Sequence, residues 1–396
     1  FQIFNMKNKK DIFKRKIQVP FFQPLITNED KKEVIKALNS SLLTDGPKLI
    51  EFEKEFAKST NSKYAIGVSN ATSALQLSLI CSGIKKGDEV IIPNLTFIAT
   101  ASSVILAGAT PVLADVDNDT LNISIDSIQK NITKKTKAII PVHLAGMPCN
   151  MKKIIAIGKK NNLKIIEDCA HAIGAKIDKK HVGTFGDAGC FSFYPTKNIT
   201  TIEGGMIITN CKELAEKIRL KRNHGITRTL ENRYTKGKPW EYDVQEPGYN
   251  FRLDEIRSAL GKNQIKKINE FNRKREKSFD YYNSKLEKIP GIIVPKKSKN
   301  FTSSYHLYII RILHSFGMNR DELFKKLLQN GIQTSVHYKP LNKFQVCKNK
   351  AKKFDTLNNS EKIYEEIISL PFFTNISKNQ LDIVIKSIKK IQKSVN

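Results

Sequence analysis

The stretch GCFSFYPTKNITTIEGGMIIT, Gly189–Thr209, decides how this chain is read. Two apolar, β-branched runs, 188–193 and 204–209, flank a polar turn, and that pattern predicts two strands of a buried sheet. Between them stands Lys197, one of 67 Lys and Arg in the chain. A lysine held beside a dry interior has a lowered pKa, and its free amine then serves as nucleophile and base. A single lysine is otherwise an ordinary surface group, so its company settles its meaning.

Working outward, further short apolar runs lie at Tyr64–Val68, Glu89–Pro93, Thr110–Val116, Lys137–Leu144 and Leu163–Asp168. With the first two they make seven expected strands. Segments of helical length, Ser73–Ser82, Asn150–Asn161 and Lys212–Lys221, separate most of them, which is the rhythm of a mainly parallel sheet covered on both faces. Upstream, ITNEDKKEVIKAL predicts a helix capped by Thr27 or Asn28, with Val34, Ile35 and Leu38 on one side. From Lys266 to Lys285 the pattern becomes a long charged helix. After it, GIIVP, SYHLYIIRI and GIQTSVHY (331–338) suggest strands of a second layer, with a helix over Asp321–Gln329. A last helix is capped by Ser377 and keeps Leu381, Val384, Ile385, Ile388 and Ile391 on one face. The expected organisation is a basic tail over 1–18, a large α/β domain over 19–265 and a smaller α+β domain over 266–396. The stretch 224–250 lacks a period, and long irregular segments in compact domains are usually functional or disordered.

Across 396 residues, 67 Lys and Arg against 38 Asp and Glu give a net charge of +29. Such a surface attracts polyanions, nucleic acid first and phosphate-rich small molecules second. The lysines are scattered in twos and threes, without aromatic residues interleaved on one element, so a solvated basic surface is the simpler reading. Six cysteines show no CxxC spacing and no nearby histidine to complete a zinc set, so no metal site is expected and reduced thiols of a cytosolic protein fit them. No window approaches 18 uninterrupted apolar residues, and FQIFNMKNKKDIFKRKIQ puts charges where a signal peptide needs its apolar core, so a soluble cytoplasmic protein is expected.

Ligands of open α/β sheets collect at the carboxyl ends of strands. YAIGVSNATSALQLSL runs from a strand through Ser69–Ser73 into a helix, which offers backbone N–H groups to a phosphate, although plain helix capping would use the same residues. LKIIEDCAHAIGA ends a strand in Glu167 and Asp168, with His171 three residues on; Asp168 either caps the next helix or holds a ring nitrogen protonated. No Walker A or GxGxxG motif accompanies them. A phosphate seat, an aspartate and a lysine on one sheet edge are together the parts that pyridoxal phosphate requires.

The chain resembles the fold-type-I, pyridoxal-phosphate-dependent sugar-nucleotide aminotransferases of the DegT/StrS type. The blocks that carry the likeness run in order through PFFQPLITNED, EVIIPNLTFIATASSV, PVHLAGMP, IIEDCAHAIGA, FSFYPTKNITTIEGGMIIT, GYNFRLDEIRSALG, SSYHLYIIR, VHYKPL and SLPFF, nearly the whole chain. The resemblance implies an aspartate-aminotransferase-like fold with a seven-stranded sheet. It also implies that Lys197 binds the cofactor covalently, that Asp168 pairs with its pyridine nitrogen, and that His171 reaches its phenolic oxygen. Phe97 would stack on the cofactor ring. Thr72, Ser73 and Ser192 would hold its phosphate, with Asn250 supplied by the neighbouring subunit of a homodimer. Ala71 departs from the Gly that many members carry before the Thr, and Lys197 distinguishes the chain from dehydratase members with His at that place.

The implied reaction moves an amino group from L-glutamate to a keto-sugar nucleotide, with a 4-keto-6-deoxy sugar favoured by HGITR and PWEYDV ahead of GYNFR, in amino-sugar or surface-glycan biosynthesis. Arg222, His224, Arg228, Lys236 and His337 are candidates for the substrate diphosphate. A keto-cyclitol is the alternative acceptor. A basic regulatory or nucleic-acid-binding protein on the same fold is the non-enzymatic alternative; it has no use for Lys197, Asp168 and Asn250 together, so neither nucleic acid nor membrane is expected as a partner.

Overall fold

The computed structural model describes residues 17–227, 238, 240–298 and 300–394. Residues 1–16 of the basic tail, Arg228 and Lys236 lie outside the described residues.

Among the described residues nine strands precede residue 210: β1 Tyr64–Val68, β2 Glu89–Pro93, β3 Thr110–Ala114, β4 Thr136–Ile139, β5 Lys164–Asp168, β6 Lys176–Ile177, β7 Lys180–His181, β8 Ala188–Ser192 and β9 Gly205–Thr209. Seven of them form one sheet in the order β1-β9-β8-β5-β4-β2-β3. Only β9 runs against its neighbours, pairing antiparallel with β1 and β8, while the other pairs are parallel. The carboxyl ends of the six co-directional strands therefore lie along one edge. The strands β2 and β9 are buried at every residue, because helices cover both faces and continuous apolar runs are what such a sheet demands.

The seven strands expected in the sheet are present, although the one expected over Lys137–Leu144 ends at Ile139 and gives way to a turn at Leu144–Gly146. One expectation fails: 331–338 forms no strand and touches its neighbours through single bridges, Ile332 to Val19 and Ser335 to Ser369. After the second bridge the backbone turns away from the sheet and carries His337 and Tyr338 toward the strand ends. The third strand of the small sheet is instead Ile367–Leu370, pairing with Tyr308–Ile312, which also pairs with Ile292–Ile293.

The helix Asn28–Leu38 has the expected Thr27 cap in a capping box with Asp30. Its expected apolar side stays outside, with Ile35 56 % and Leu38 52 % exposed. The buried positions are Asp30 and Ala37. Asp30 accepts from Asn263, Gln264 and Lys267, which ties this helix to Glu255–Ile265.

One apolar core packs helix Ala71–Cys81 on β1, β2, β5, β8 and β9. A separate core joins Val19 to the helices Ile268–Leu286, Arg320–Gln329 and Lys378–Lys393 and the small sheet. All five residues expected on the inner face of the last helix are buried in it. The segment holding Leu341, Cys347 and Leu357 returns to pack on the first core.

Candidate active site

Three strand ends build the site. Asp168 closes β5 and is held by its backbone, its N–H donating to Pro141 O at 2.9 Å and its carbonyl accepting from His143 N–H at 3.1 Å. Its carboxylate accepts from Thr100 Oγ1 at 3.0 Å and from Ala170 N–H at 3.1 Å. Burial raises the Asp168 pKa, and those two hydrogen bonds together with the Lys197 amine act against the rise.

Behind it, Glu167 accepts from the N–H groups of Gly183, Phe185 and Gly186 and from Nε2 of His143. His143, Glu167 and Cys169 bring ligand-type atoms within 4.8 Å of one another. The lone pairs of His143 and Glu167 are spent internally, since His143 Nδ1 also accepts from Cys149 N–H at 3.0 Å. The trio is a clamp that fixes the 183–186 loop against the end of β5.

Lys197 sits in the turn between β8 and β9, its N–H bonded to Tyr194 O at 2.9 Å. The next residue is anchored harder: Asn198 donates to Asn272 Oδ1 at 2.8 Å and Ser304 O at 2.6 Å, and meets His306 Nδ1 at 2.9 Å. Burial pushes the Lys197 ammonium down to about 8, with the Asp168 carboxylate recovering part of the shift.

His171 accepts Ala145 N–H on Nδ1 at 3.3 Å, and its Nε2 lies 3.0 Å from the Tyr338 hydroxyl. Burial, with a smaller push from the Lys197 charge, holds its pKa well below the usual histidine range. Phe97, 55 % exposed at the start of helix Ile98–Leu106, places its ring 5.7 Å from that of Tyr338.

The turn after β1 is a capped helix start: Asn70 Oδ1 accepts from Ser73 N–H at 2.8 Å and Ser73 Oγ at 3.0 Å, while Ser69 Oγ lies 3.1 Å from Ser73 Oγ. Thr72 lies in the first turn, which carries no acidic residue, so its positive end stays uncompensated. Gly205 pairs with both Val68 and Ser192, which sets Ser192 beside this turn. A side chain at Gly205 would meet the Asn70 carbonyl carbon at 2.5 Å, so the close approach requires glycine. Phe251 O accepts from Ser69 N–H at 2.9 Å, laying the GYNF strip alongside, with Asn250 exposed.

The fold thus gathers Thr72, Ser73, Phe97, Asp168, His171, Ser192 and Lys197 on one edge, with Asn250 at its rim. Thr100 and Tyr338 join them without having been singled out in the sequence; the Thr96–Thr100 spacing, with hydroxyls 3.0 Å apart, was the available signal for the first. Among the substrate candidates, Arg222 is committed to Glu53 at 2.7 Å and to Gly67 O at 2.7 Å. His337 is half-buried, its Nδ1 2.8 Å from Ser369 Oγ, and burial pushes its pKa down to about 3. His224 is exposed. The donor set fits an aldehyde-bearing phosphorylated pyridine: a free amine for the aldehyde, a buried carboxylate for the ring nitrogen and a helix N-terminus for the phosphate.

Known proteins carry the same plan. The chain is similar to the spore coat polysaccharide biosynthesis protein SpsC of Bacillus subtilis (strain 168), 37% identical over 386 residues, 97% of this chain and 99% of the relative. Among solved structures it is similar to Helicobacter pylori PseC, an aminotransferase involved in the biosynthesis of pseudoaminic acid, at a TM-score of 0.88 and 34% identity, covering 95% of this chain and 99% of that one. The putative sugar aminotransferase Spr1654 from Streptococcus pneumoniae, solved in PMP-form, superposes at 0.89 with 31% identity over 96% of this chain and 100% of its own; the same protein is also solved in a PLP-form. With its residues 24–389 matching the family model and its strand ends carrying this donor set, the chain belongs to the DegT/DnrJ/EryC1/StrS aminotransferase family and is a pyridoxal-phosphate-dependent aminotransferase.

Proposed function

We propose that the enzyme transfers an amino group from L-glutamate to the keto carbon of a nucleotide-linked sugar, a 4-keto-6-deoxy sugar in the favoured case, for the building of amino-sugar or surface glycans. The observation that carries this reading is the placing of Lys197, in the turn after β8, within charge range of the buried Asp168 at the end of β5. The names of SpsC, with its spore-coat polysaccharide, and PseC, with its pseudoaminic acid, support the sugar acceptor.

When bound, pyridoxal phosphate supplies an electron sink for the carbanion formed at the carbon that bears nitrogen. Lys197 holds the cofactor and, once released, moves the proton to and from that carbon. Asp168 keeps the ring nitrogen protonated; the Thr100 hydroxyl and Ala170 N–H fix which way its carboxylate points. His171 would offer the phenolic oxygen its one N–H, the Nε2 proton that meets the Tyr338 hydroxyl in this structure. Phe97 covers the ring face, and Thr72, Ser73 and Ser192 bind the phosphate beside the helix start.

Asn250 would complete the phosphate site of a second copy. The exposed Ile35, Leu38, Leu42, Leu43, Ile50 and Ile202 support such a homodimer, since they leave apolar surface uncovered on one chain. We also assign residues 19–265 to a large cofactor-binding domain and 266–396 to a smaller one, although Val19 packs in the core of the second and Leu341, Cys347 and Leu357 pack on the core of the first. No helix among the described residues is long and apolar enough to cross a membrane, and the six cysteines are free, which agrees with work in the cytoplasm. The basic surface serves the diphosphate of the substrate rather than nucleic acid.

The test is turnover on a panel of nucleoside-diphosphate 4-keto-6-deoxy and 3-keto sugars with L-glutamate, read as 2-oxoglutarate formed. Release of 2-oxoglutarate that depends on one keto-sugar nucleotide is expected. Turnover on a keto-inositol alone would move the assignment to cyclitols.

A further inference from the structure

Arg275 is a buried charge that the transamination site does not use. It lies within the helix Ile268–Leu286 and is 3 % exposed. Arg219, Arg222, Arg257, Arg311 and Arg320 each pair with a carboxylate. Arg275 pairs with none among the described residues. Its Nε donates to Thr374 Oγ1 at 3.2 Å, and Nη1 faces the carbonyls of Tyr305, His306 and Phe372 at 3.4, 3.2 and 3.4 Å. Nη2 makes no hydrogen bond among the described residues and is not sealed in the interior, so it reaches the space beside it. Burial without a counter-charge pulls the guanidinium pKa down to about 9.

Arg275 also lines a narrow pocket, partly open to solvent, whose wall includes Gln264, Thr374 and the turn 195–200 with Lys197 itself. Most polar groups of this wall are already spent. Gln264 Nε2 donates to Leu25 O and to Asp30, Thr200 Oγ1 donates to Phe193 O, and the Asn198 amide serves Asn272 and Ser304. The donors of this wall that keep no protein acceptor among the described residues include Nη2 of Arg275 and the hydroxyl proton of Thr374, whose oxygen already accepts from Nε. The free space admits one water-sized species.

We propose that this cavity binds a small monovalent anion of halide size, held between Nη2 of Arg275 and the Thr374 hydroxyl. A water molecule would satisfy the donors and leave the buried charge uncompensated, which is the costly part of burying an ion. Phosphate or a dicarboxylate exceeds the space. The net charge of +29 raises the local concentration of anions around the protein. Because the turn 195–200 forms one wall, the anion braces the segment on which Lys197 stands, and its binding adds to folding stability by mass action.

The test is thermal unfolding of the cofactor-loaded protein in sodium chloride, sodium bromide and sodium gluconate at matched ionic strength, together with a crystal soaked in bromide. We expect a saturable, halide-specific rise in melting temperature, reaching a ~100-fold shift of the folding equilibrium at a 100-fold excess of halide over its dissociation constant. We further expect Thr374→Val to weaken the rise, Arg275→Met to abolish it, and an anomalous bromide peak to lie against Arg275. Identical melting in all three salts, or a cavity without bromide in the soaked wild-type crystal, would overturn the proposal. The crystal decides the matter even if Arg275→Met fails to fold.

Discussion

Nε2 of His171 and the hydroxyl of Tyr338 lie 3.0 Å apart. Since Nδ1 of His171 accepts from Ala145 N–H, the imidazole proton is on Nε2, and the Tyr338 oxygen is the acceptor. The phenol proton is left to point elsewhere in the site. Tyr338→Phe removes one hydrogen bond of ~1 kcal/mol, so kcat should fall roughly 5- to 10-fold. The pH titration of the cofactor absorbance should shift with it. A Phe variant with wild-type rate and titration would mean that Tyr338 only fills space.

Asp168→Asn replaces a charge by a neutral amide opposite Lys197. We expect kcat to fall by about 10²–10³, the scale of losing one preorganised charge. Thr100→Val removes a hydrogen bond to that carboxylate, worth ~1.5–3 kcal/mol, and should cost roughly 10- to 100-fold in rate. Steady-state kinetics of the two variants and their double mutant check this. The effects should not add, because both act through one carboxylate.

The lowered Lys197 pKa has a sign that stability measurements can read. Between about 8 and the ordinary 10.5 the unfolded chain holds a proton that the folded one does not, so stability rises with pH across that window. Below about 8 both states are protonated, and the buried charge weighs against folding in full. For cofactor-free protein, Lys197→Met should therefore be more stable than wild type at pH 7, by at most ~3 kcal/mol. The advantage should shrink as pH passes through the window. Denaturant midpoints at pH 7 and pH 10 give the comparison.

How far a sequence discloses a site depends on how local each contact is. Lys197, Asp168 and the Asn70–Ser73 turn were legible because each lies at the end of an apolar run, where strand periodicity points to it. Tyr338 was hidden: 331–338 has the β-branched look of a strand, yet only Ile332 and Ser335 bridge to neighbours. Ile367–Leu370 escaped notice because four residues between a helix and a proline give little period to read. Arg222 resembled a free phosphate ligand until the fold brought Glu53 against it, across 169 residues of sequence. The outward face of helix Asn28–Leu38 misled for a similar reason, since Asp30 is drawn inside by partners more than 230 residues away.

Glu255 is a buried carboxylate that accepts from the N–H groups of Gly46, Lys48 and Leu49 at the start of helix Pro47–Thr60. Glu255→Ala should destabilise the fold by about 1–3 kcal/mol, because those donors lose their acceptor in a closed environment. Glu255→Gln, which keeps one acceptor oxygen, should lose less. Urea unfolding measures both.

Leu38→Asp places a charge on the exposed apolar side of helix Asn28–Leu38. In the proposed homodimer this should yield monomer by analytical ultracentrifugation and weaken cofactor binding. Asn250→Ala should weaken cofactor binding while the protein stays dimeric. Unchanged cofactor affinity in a monomeric Leu38→Asp protein would show that the site needs no second copy.

The most direct test of the site is to load the purified protein with pyridoxal phosphate, reduce it with borohydride and locate the label by peptide mass spectrometry. A single stable adduct on Lys197, absent from Lys197→Ala, is the expected result. A label on another lysine, or none at saturating cofactor, would contradict the placement of the reactive amine.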